Sequence, residues 1–179
     1  TPPVTKPGRT YSDTDLNNLS ANHPLAETIR SGERMVSLHV FCLMPNHYHL
    51  LVSEESEGGI SKYMQRVQNS YTKYFNTKYN SSGHLFQGPF RAVRIETNEQ
   101  LLHTSAYIHR NPIELSEDPR DYLEYEWSSI RDYLKADRFN GLLSQGIISA
   151  QFSSPAKYRT FLETSTAKRA PADLKAIET

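Results

Sequence analysis

Two histidines stand two residues apart in an apolar stretch, FCLMPNHYHLLV, which covers residues 41–52. In a β-strand successive side chains alternate between the two faces, so His47 and His49 would project from one face and Tyr48 from the other. Neutral imidazoles placed in this way can each donate a nitrogen to the same metal ion. For an isolated pair the simpler interpretation is one exposed histidine and one histidine hydrogen-bonded in the core. A metal site therefore requires further ligands.

Further ligands are available in the segment TNEQLLHTSAYIHRNP of residues 97–112. Tyr107 and Asn111 are four residues apart and share one face if the segment is helical. Asn111 offers an amide oxygen, a hard ligand that Mg²⁺ or Mn²⁺ accepts beside two imidazoles. Tyr107 offers a phenolic oxygen one turn away, placed to attack a phosphorus atom bound to that metal. His103 lies on the same face and is an alternative ligand or a partner of one.

These residues also have structural interpretations, because tyrosine is common in cores and an asparagine before a proline often caps a helix. The spacing of Thr97 and Gln100 is that of a capping box and predicts that the helix starts here, while Pro112 ends it.

Residues 114–126 are acidic and are predicted to form a loop. Two short helices are predicted in WSSIRDYLK and SPAKYRTFLE.

Periodicity predicts the remaining elements that must position the histidines. Residues 34–53 alternate around the turn dipeptide PN and predict a β-hairpin. Residues 60–79 carry apolar or aromatic side chains at spacings of three and four, which predicts an amphipathic helix. Residues 85–96 are predicted to be extended, with Gly88-Pro89 as an interruption. Residues 1–22 read as a loop or arm, and HPLAETIRSGE as a short helix.

The segment of residues 58–95 contains no Asp or Glu, although the chain has 20 acidic and 20 basic residues and a formal net charge of zero. Cations interleaved with aromatic residues suit single-stranded nucleic acid, since phosphates bind cations and bases stack on rings. Some of the aromatics are instead assigned to the core face of the helix, namely Tyr71, Tyr74 and Phe75. The candidates for DNA contact are Lys62, Arg66, Lys73, Arg91 and Arg94.

Composition limits the class of protein. A single cysteine, Cys42, excludes an intramolecular disulfide and indicates a reducing compartment. No apolar run approaches the roughly 18–20 residues of a membrane span, so no membrane contact is predicted. We predict an N-terminal arm or partial domain start over residues 1–32, a main domain over residues 33–139 and a C-terminal helical extension over residues 140–179.

In chain order, the segments CLMPNHYHLLV, YMQRVQNSYTKYFN, SGHLFQGPFRAV and LLHTSAYIHRNP resemble the single-tyrosine HUH transposases. EWSSIRDYL and FSSPAKYRTFLE resemble the C-terminal segments of the REP-associated tyrosine transposase-like branch, and the similarity covers roughly residues 33–165. The resemblance implies an α+β fold of the HUH-endonuclease, ferredoxin-like kind, in which an antiparallel sheet carries the two histidines and helices pack on it. It also implies a strand and a helix ahead of the hairpin, and residues 1–32 do not resemble them.

The same resemblance implies a metal-dependent tyrosine transposase that nicks and joins hairpin-bearing single-stranded DNA during DNA transposition. His47, His49 and Asn111 would hold Mg²⁺ or Mn²⁺, and Tyr107 would form a 5′-phosphotyrosine intermediate. The protein would act in the cytoplasm on DNA of the nucleoid, as a monomer or a homodimer. The alternative function is a domesticated protein that binds DNA hairpins without cleaving them. A weaker third interpretation is a hydrolase that uses a metal-activated water, for which Tyr107 is dispensable.

Overall fold

The computed structural model describes residues 4–6, 9–11, 34–135 and 137–165. The chain divides into two compact units, the first formed by Thr1–Met35 with Glu55–Phe90 and the second by Val36–Glu54 with Arg91–Thr179. Each unit has its own secondary structure. The predicted short helix before residue 33 lies outside the described residues.

The first unit contains a small hairpin and a long helix. Strands β1 (Val4–Lys6) and β2 (Arg9–Tyr11) pair antiparallel, in a region whose sequence predicts a loop. Helix α1 spans Gly59–Tyr79 and confirms the predicted amphipathic helix. At its start a Cβ on Gly59 would overlap the carbonyl oxygen of Met35, so only glycine fits there.

The second unit is built on the predicted β-hairpin. Strand β3 (Val36–Leu43) pairs antiparallel with β4 (Tyr48–Glu54), and Cys42 lies opposite His49. The other edge of β3 makes single bridges, through Leu38 and Cys42, to two later segments of the chain. Together with the helices this confirms the α+β class.

The predicted extended segment of residues 85–96 forms no strand, so the described sheet of this unit has two strands. Gly88, with a φ of 84°, and Pro89 lie in a series of bends instead. A proline cannot donate to a strand ladder, which is a physical reason for the missing pairing.

Helix α2 spans Asn98–Arg110 and begins as predicted. The Thr97 hydroxyl accepts from the Gln100 amide at 3.1 Å, and the Gln100 side chain accepts from the Glu96 amide at 2.9 Å. A 3₁₀ turn follows directly, with Pro112 near its start, so the chain changes helix type at the proline.

The rest of the second unit is a series of short helices that surround α2. The acidic segment predicted as a loop contains a 3₁₀ turn with buried Tyr122 and Leu123. The two predicted short helices are confirmed. The elements are 3₁₀ turns at Asn111–Leu115 and Asp121–Glu124 and helices α3 (Ile130–Leu134), α4 (Gly146–Ser149) and α5 (Pro155–Thr164).

The core of the second unit surrounds α2, because six successive helix residues from Thr104 to His109 are buried. Val40 and Cys42 of β3 and Leu162 of α5 contribute to the same cluster and are fully buried. In the described part of the chain, no helix is long and apolar enough to cross a membrane.

Candidate active site

The end of the β-hairpin positions the two histidines. His49 is the second residue of β4, whereas His47 lies in the turn just before the strand, because β4 starts at Tyr48, one residue later than predicted. The turn is closed by a hydrogen bond from the Met44 amide to the His47 carbonyl at 2.8 Å. The two imidazole rings lie 5.0 Å apart between centroids and are nearly perpendicular, at 84°.

Helix α2 brings its own candidates to the same place. The Asn111 amide nitrogen donates to Nε2 of His49 over 3.2 Å. The ring of Tyr107 lies 5.4 Å from the His49 ring between centroids, edge to face at 77°. His47, His49, Tyr107 and Asn111 therefore form one contiguous group within the second unit.

Burial increases across this group from solvent toward the core. His47 is exposed, His49 and Asn111 are half-buried, and Tyr107 is only 8% exposed. A ligand from solvent therefore meets the histidine side of the group first.

Three of these residues, His47, His49 and Asn111, offer donor atoms that suit a divalent cation. His47 Nδ1 donates to the Asn46 side-chain oxygen at 2.7 Å, which leaves Nε2 with its lone pair. Histidines that ligate metals usually donate their other ring nitrogen in this way. A 180° rotation of the Asn111 side-chain amide would place its oxygen where its nitrogen lies, because the two atoms occupy equivalent positions in the amide plane. Two imidazole nitrogens and an amide oxygen are a donor set that Mg²⁺ or Mn²⁺ accepts.

Asn46 is a functional candidate that the sequence reasoning missed, because the PN dipeptide predicts only a turn. Its side chain fixes the orientation of His47, and its position directly before the histidine was the available signal. Among the described residues, no group of three or more His, Cys, Asp or Glu side chains is placed to hold a metal ion. A metal here would therefore depend on the amide of Asn111 as its third protein ligand.

His103 lies one turn before Tyr107 on α2 and contacts other residues. Its Nε2 is 3.8 Å from a carboxylate oxygen of Glu99, and its ring lies 6.3 Å from that of Phe161. These contacts direct it toward the start of α2 and toward helix α5.

The predicted DNA-contact residues lie in two places. Lys62, Arg66 and Lys73 are exposed on α1 in the first unit. At 3.6 residues per turn, their spacings of four and seven place them in one row along the helix, hereafter the cation row. Arg91 and Arg94 are also exposed and belong to the second unit, in the segment without regular structure that precedes α2.

The opposite side of α1 carries aromatic residues in its C-terminal half, and their assignment to the core is largely wrong. Tyr71 is 49% exposed and Tyr74 is 43% exposed, while Phe75 is half-buried. Amphipathic spacing shows that these residues share a face but not that a neighbour covers it. Among the described residues of this helix, only Gly59 and Met64 are buried.

These rings contact one another and a lysine, and we call Tyr71, Tyr74, Phe75, Lys78 and Tyr79 the aromatic face of α1. The centroids of Tyr71 and Tyr74 are 6.3 Å apart, and those of Phe75 and Tyr79 are 4.6 Å apart. The Lys78 ammonium lies 5.5 Å and 5.3 Å from the ring centres of Tyr74 and Tyr79. Its hydrogen bond with Tyr74 raises the pKa of Lys78 above its ordinary value.

A family model described as "Transposase IS200 like" matches residues 22–111. The match covers half of the 179 residues, contains His47, His49 and Tyr107, and ends at Asn111. Searches of curated proteins and of solved structures found no match.

Proposed function

The chain belongs to the IS200-like transposase family, and from this premise we propose that it cuts and rejoins single-stranded DNA through a covalent link to Tyr107. A transposase is a DNA-processing enzyme and must bind DNA. The finer assignment, an HUH-type nuclease with a divalent metal, rests on one observation. The imidazole of His49 contacts both Tyr107 of helix α2 and Asn111, the residue that directly follows this helix.

Tyr107 is the nucleophile in this mechanism. Its phenolic oxygen forms a bond to the scissile phosphorus while the bond from phosphorus to the 3′ oxygen of the upstream strand breaks. The phenolic proton passes to solvent, and the departing 3′ oxygen takes up a proton. One phosphodiester replaces another, so a 3′-hydroxyl of a second strand can reverse the step and join DNA.

The surrounding residues hold the reactants. A free phenol has a pKa of about 10, so attack at neutral pH requires help from the site. A bound Mg²⁺ or Mn²⁺ on His47, His49 and Asn111 would neutralise charge on the phosphate oxygens. Asn46 orients His47, Asn111 orients His49, and burial of the Tyr107 ring restricts its rotamers. Such restriction places the attacking oxygen before the substrate arrives.

The proposed substrate is a hairpin-bearing strand with unpaired bases. Phosphates of the strand would follow the cation row of α1 in the first unit. In the second unit, Arg91 and Arg94 are separate candidates for phosphate contact. On the opposite side of α1, unpaired bases of another part of the strand would stack on the exposed rings of the aromatic face, which carries Lys78 for their phosphates. The absence of acidic residues from 58 to 95 removes repulsion along this segment.

The decisive experiment incubates the protein with Mn²⁺ and a hairpin oligonucleotide labelled at either end, then resolves the products on a denaturing gel. A 5′-phosphotyrosine link retains the 3′-labelled strand in the adduct and releases the 5′-labelled strand with a free 3′-hydroxyl. Tyr107→Phe should form no adduct at any Mn²⁺ concentration, because it lacks the attacking oxygen.

The matched controls are Tyr71→Phe and Tyr74→Phe, which remove the same oxygen from exposed tyrosines of α1 and should leave the adduct intact. An adduct that survives in Tyr107→Phe and disappears in one of these controls would assign the nucleophile to α1. Binding without any adduct across varied hairpins, with Mg²⁺ and with Mn²⁺, would favour a protein that binds DNA hairpins without cleaving them.

A further inference from the structure

The side of helix α2 opposite Tyr107 carries a buried chain of polar contacts. His109 Nδ1 lies 2.8 Å from the Tyr158 hydroxyl, and His109 Nε2 lies 2.8 Å from the Ser129 hydroxyl. Ser129 in turn accepts from the Phe41 amide of β3 at 2.9 Å. His109 and Ser129 are fully buried, and Tyr158 is 2% exposed. The chain therefore connects strand β3, helix α2 and helix α5.

The contacts satisfy a neutral imidazole. Each ring nitrogen faces one hydroxyl, an arrangement that pairs both nitrogens of a neutral imidazole, which has one donor and one acceptor nitrogen. A hydroxyl can serve either nitrogen, because it both donates and accepts. Both ring nitrogens are thus paired in a fully buried site, where an unpaired polar atom would be costly.

The position of this chain relative to the candidate active site follows from helix geometry. Residues two apart on a helix point to nearly opposite sides, so His109 faces away from Tyr107 and Asn111. Ser105, one turn before His109, is also fully buried and lies 3.3 Å from the same Tyr158 hydroxyl. Two contacts to one hydroxyl, a turn apart, fix the rotation of the helix about its own axis.

Rotation of α2 matters because the reacting side chains project from its other side. A turn of the helix would move the Tyr107 oxygen and the Asn111 amide together relative to His49, which is held on β4. The Phe41 backbone to which Ser129 binds belongs to β3, whose next residue, Cys42, pairs with His49. The buried chain thus ties α2 to the same hairpin that carries the histidines.

We propose that His109 is a positioning residue for DNA cleavage, which with Tyr158 and Ser129 sets the rotation of α2 and so the placement of Tyr107 and Asn111 against His49. This inference rests on the proposed function. It assigns His109 no contact with DNA or with the metal.

The test is a burst-phase reaction with hairpin DNA saturating and in excess over the enzyme, in which the amplitude (the fraction of enzyme that forms the adduct) and the rate constant are read separately. Tyr158→Phe keeps the ring and removes the hydroxyl that joins α5 to His109 and Ser105. We expect its rate constant for adduct formation to fall by about tenfold, and that of His109→Gln by on the order of a hundredfold. DNA affinity without metal should stay within about twofold for both variants, and Mn²⁺ affinity should fall because Asn111 moves with the helix.

Tyr133→Phe is the matched control. Tyr133 is 6% exposed, its ring lies 5.0 Å from that of His109, and its hydroxyl donates to the His39 carbonyl at 2.9 Å rather than to α2. A purely structural role would lower the folded fraction, and hence the amplitude, of Tyr158→Phe and Tyr133→Phe alike. Positioning instead lowers the rate constant of Tyr158→Phe alone.

The outcomes separate this inference from the proposed function. Equal rate constants for Tyr158→Phe, Tyr133→Phe and the parent protein would overturn the positioning role and leave the Tyr107 chemistry intact. A parent protein that forms no adduct would overturn both. If His109→Gln does not fold, the comparison of the two tyrosine variants still decides.

Discussion

Asn111 and His49 are direct partners: the amide at the end of helix α2 donates to the imidazole at the start of β4 across 3.2 Å. The two residues come from elements that are distant in sequence, and both lie in the second unit. Pro112 follows Asn111 and changes the chain from α-helix to a 3₁₀ turn, so the amide stands where the α-helix ends. The Asn111 side chain therefore lies at the C-terminal end of α2, where it contacts His49.

This relationship predicts different effects for two substitutions of Asn111. Asn111→Ala removes the proposed third ligand and should weaken Mn²⁺ binding by about tenfold to a hundredfold, while Asn111→Asp should retain or strengthen it, since a carboxylate is a harder ligand. Isothermal titration with Mn²⁺ measures both, with Asn69→Ala on the exposed side of α1 as the control. Equal Mn²⁺ affinity in the parent and in Asn111→Ala would exclude Asn111 as a ligand.

The two sides of α1 predict separable contributions to DNA binding. Replacing the cation row, Lys62, Arg66 and Lys73, by alanine should reduce the slope of log affinity against log salt by about 0.7 for each phosphate that the variant no longer neutralises. Replacing Tyr71 and Tyr74 by alanine should weaken binding to single-stranded DNA by about 1–3 kcal/mol for each stacked base without changing that slope. Fluorescence anisotropy at several salt concentrations measures both effects.

An abasic oligonucleotide and Trp127→Ala serve as controls for stacking. Without bases, the tyrosine substitutions should have no effect. Trp127 is 58% exposed and is not among the residues proposed to contact DNA, so its replacement should leave binding unchanged. If the tyrosine variants bind as tightly as the parent but change their oligomeric state in sedimentation, a second copy of the chain covers the aromatic face instead.

The contacts among His49, Tyr107 and Asn111 within one chain predict that each chain carries a complete site. A mixture of Tyr107→Phe and His49→Ala should therefore form no adduct, since neither variant has both the proposed nucleophile and the histidine pair. Adduct formation on a denaturing gel measures this, with each variant mixed with parent protein as the control. An adduct in the mixture of the two variants would show that helix α2 is exchanged between chains.

The buried thiol of Cys42 predicts a loss of stability at alkaline pH. Burial raises the pKa of Cys42 to about 12, whereas a thiol in the unfolded chain ionises near about 8.5. The unfolded state thus releases a proton that the folded state retains, so stability is constant below about pH 8.5 and falls between there and about pH 12. At pH 9.5 the loss from this group is about 1.4 kcal/mol. Urea unfolding of the parent and of Cys42→Ala at pH 7.5 and 9.5 measures this loss. The free energies of unfolding of the two proteins should differ less at pH 9.5 than at pH 7.5.

The sequence predicted the elements whose residue patterns involve positions close together in the chain. The hairpin followed from alternation around PN, and helix α2 from its cap and its proline, so the positions of His49, Tyr107 and Asn111 could be inferred before any coordinates. The exposure of Tyr71 and Tyr74 could not, because spacing shows which residues share a face and not what covers it. The contacts of His109 were equally inaccessible, since Tyr158 and Ser129 lie 49 and 20 residues away and no local pattern links them.

Helix α2 is enclosed on every side from Thr104 to His109, and this constrains how the protein can vary. One side of the helix holds the groups proposed for chemistry and the other holds the buried hydroxyl and imidazole contacts, so these two turns have no face turned to solvent. A saturation library over residues 104–111 should therefore contain very few functional members, while the same library over the solvent-facing positions of α1 should contain many. New DNA preferences would then arise by substitution on α1 and not around Tyr107.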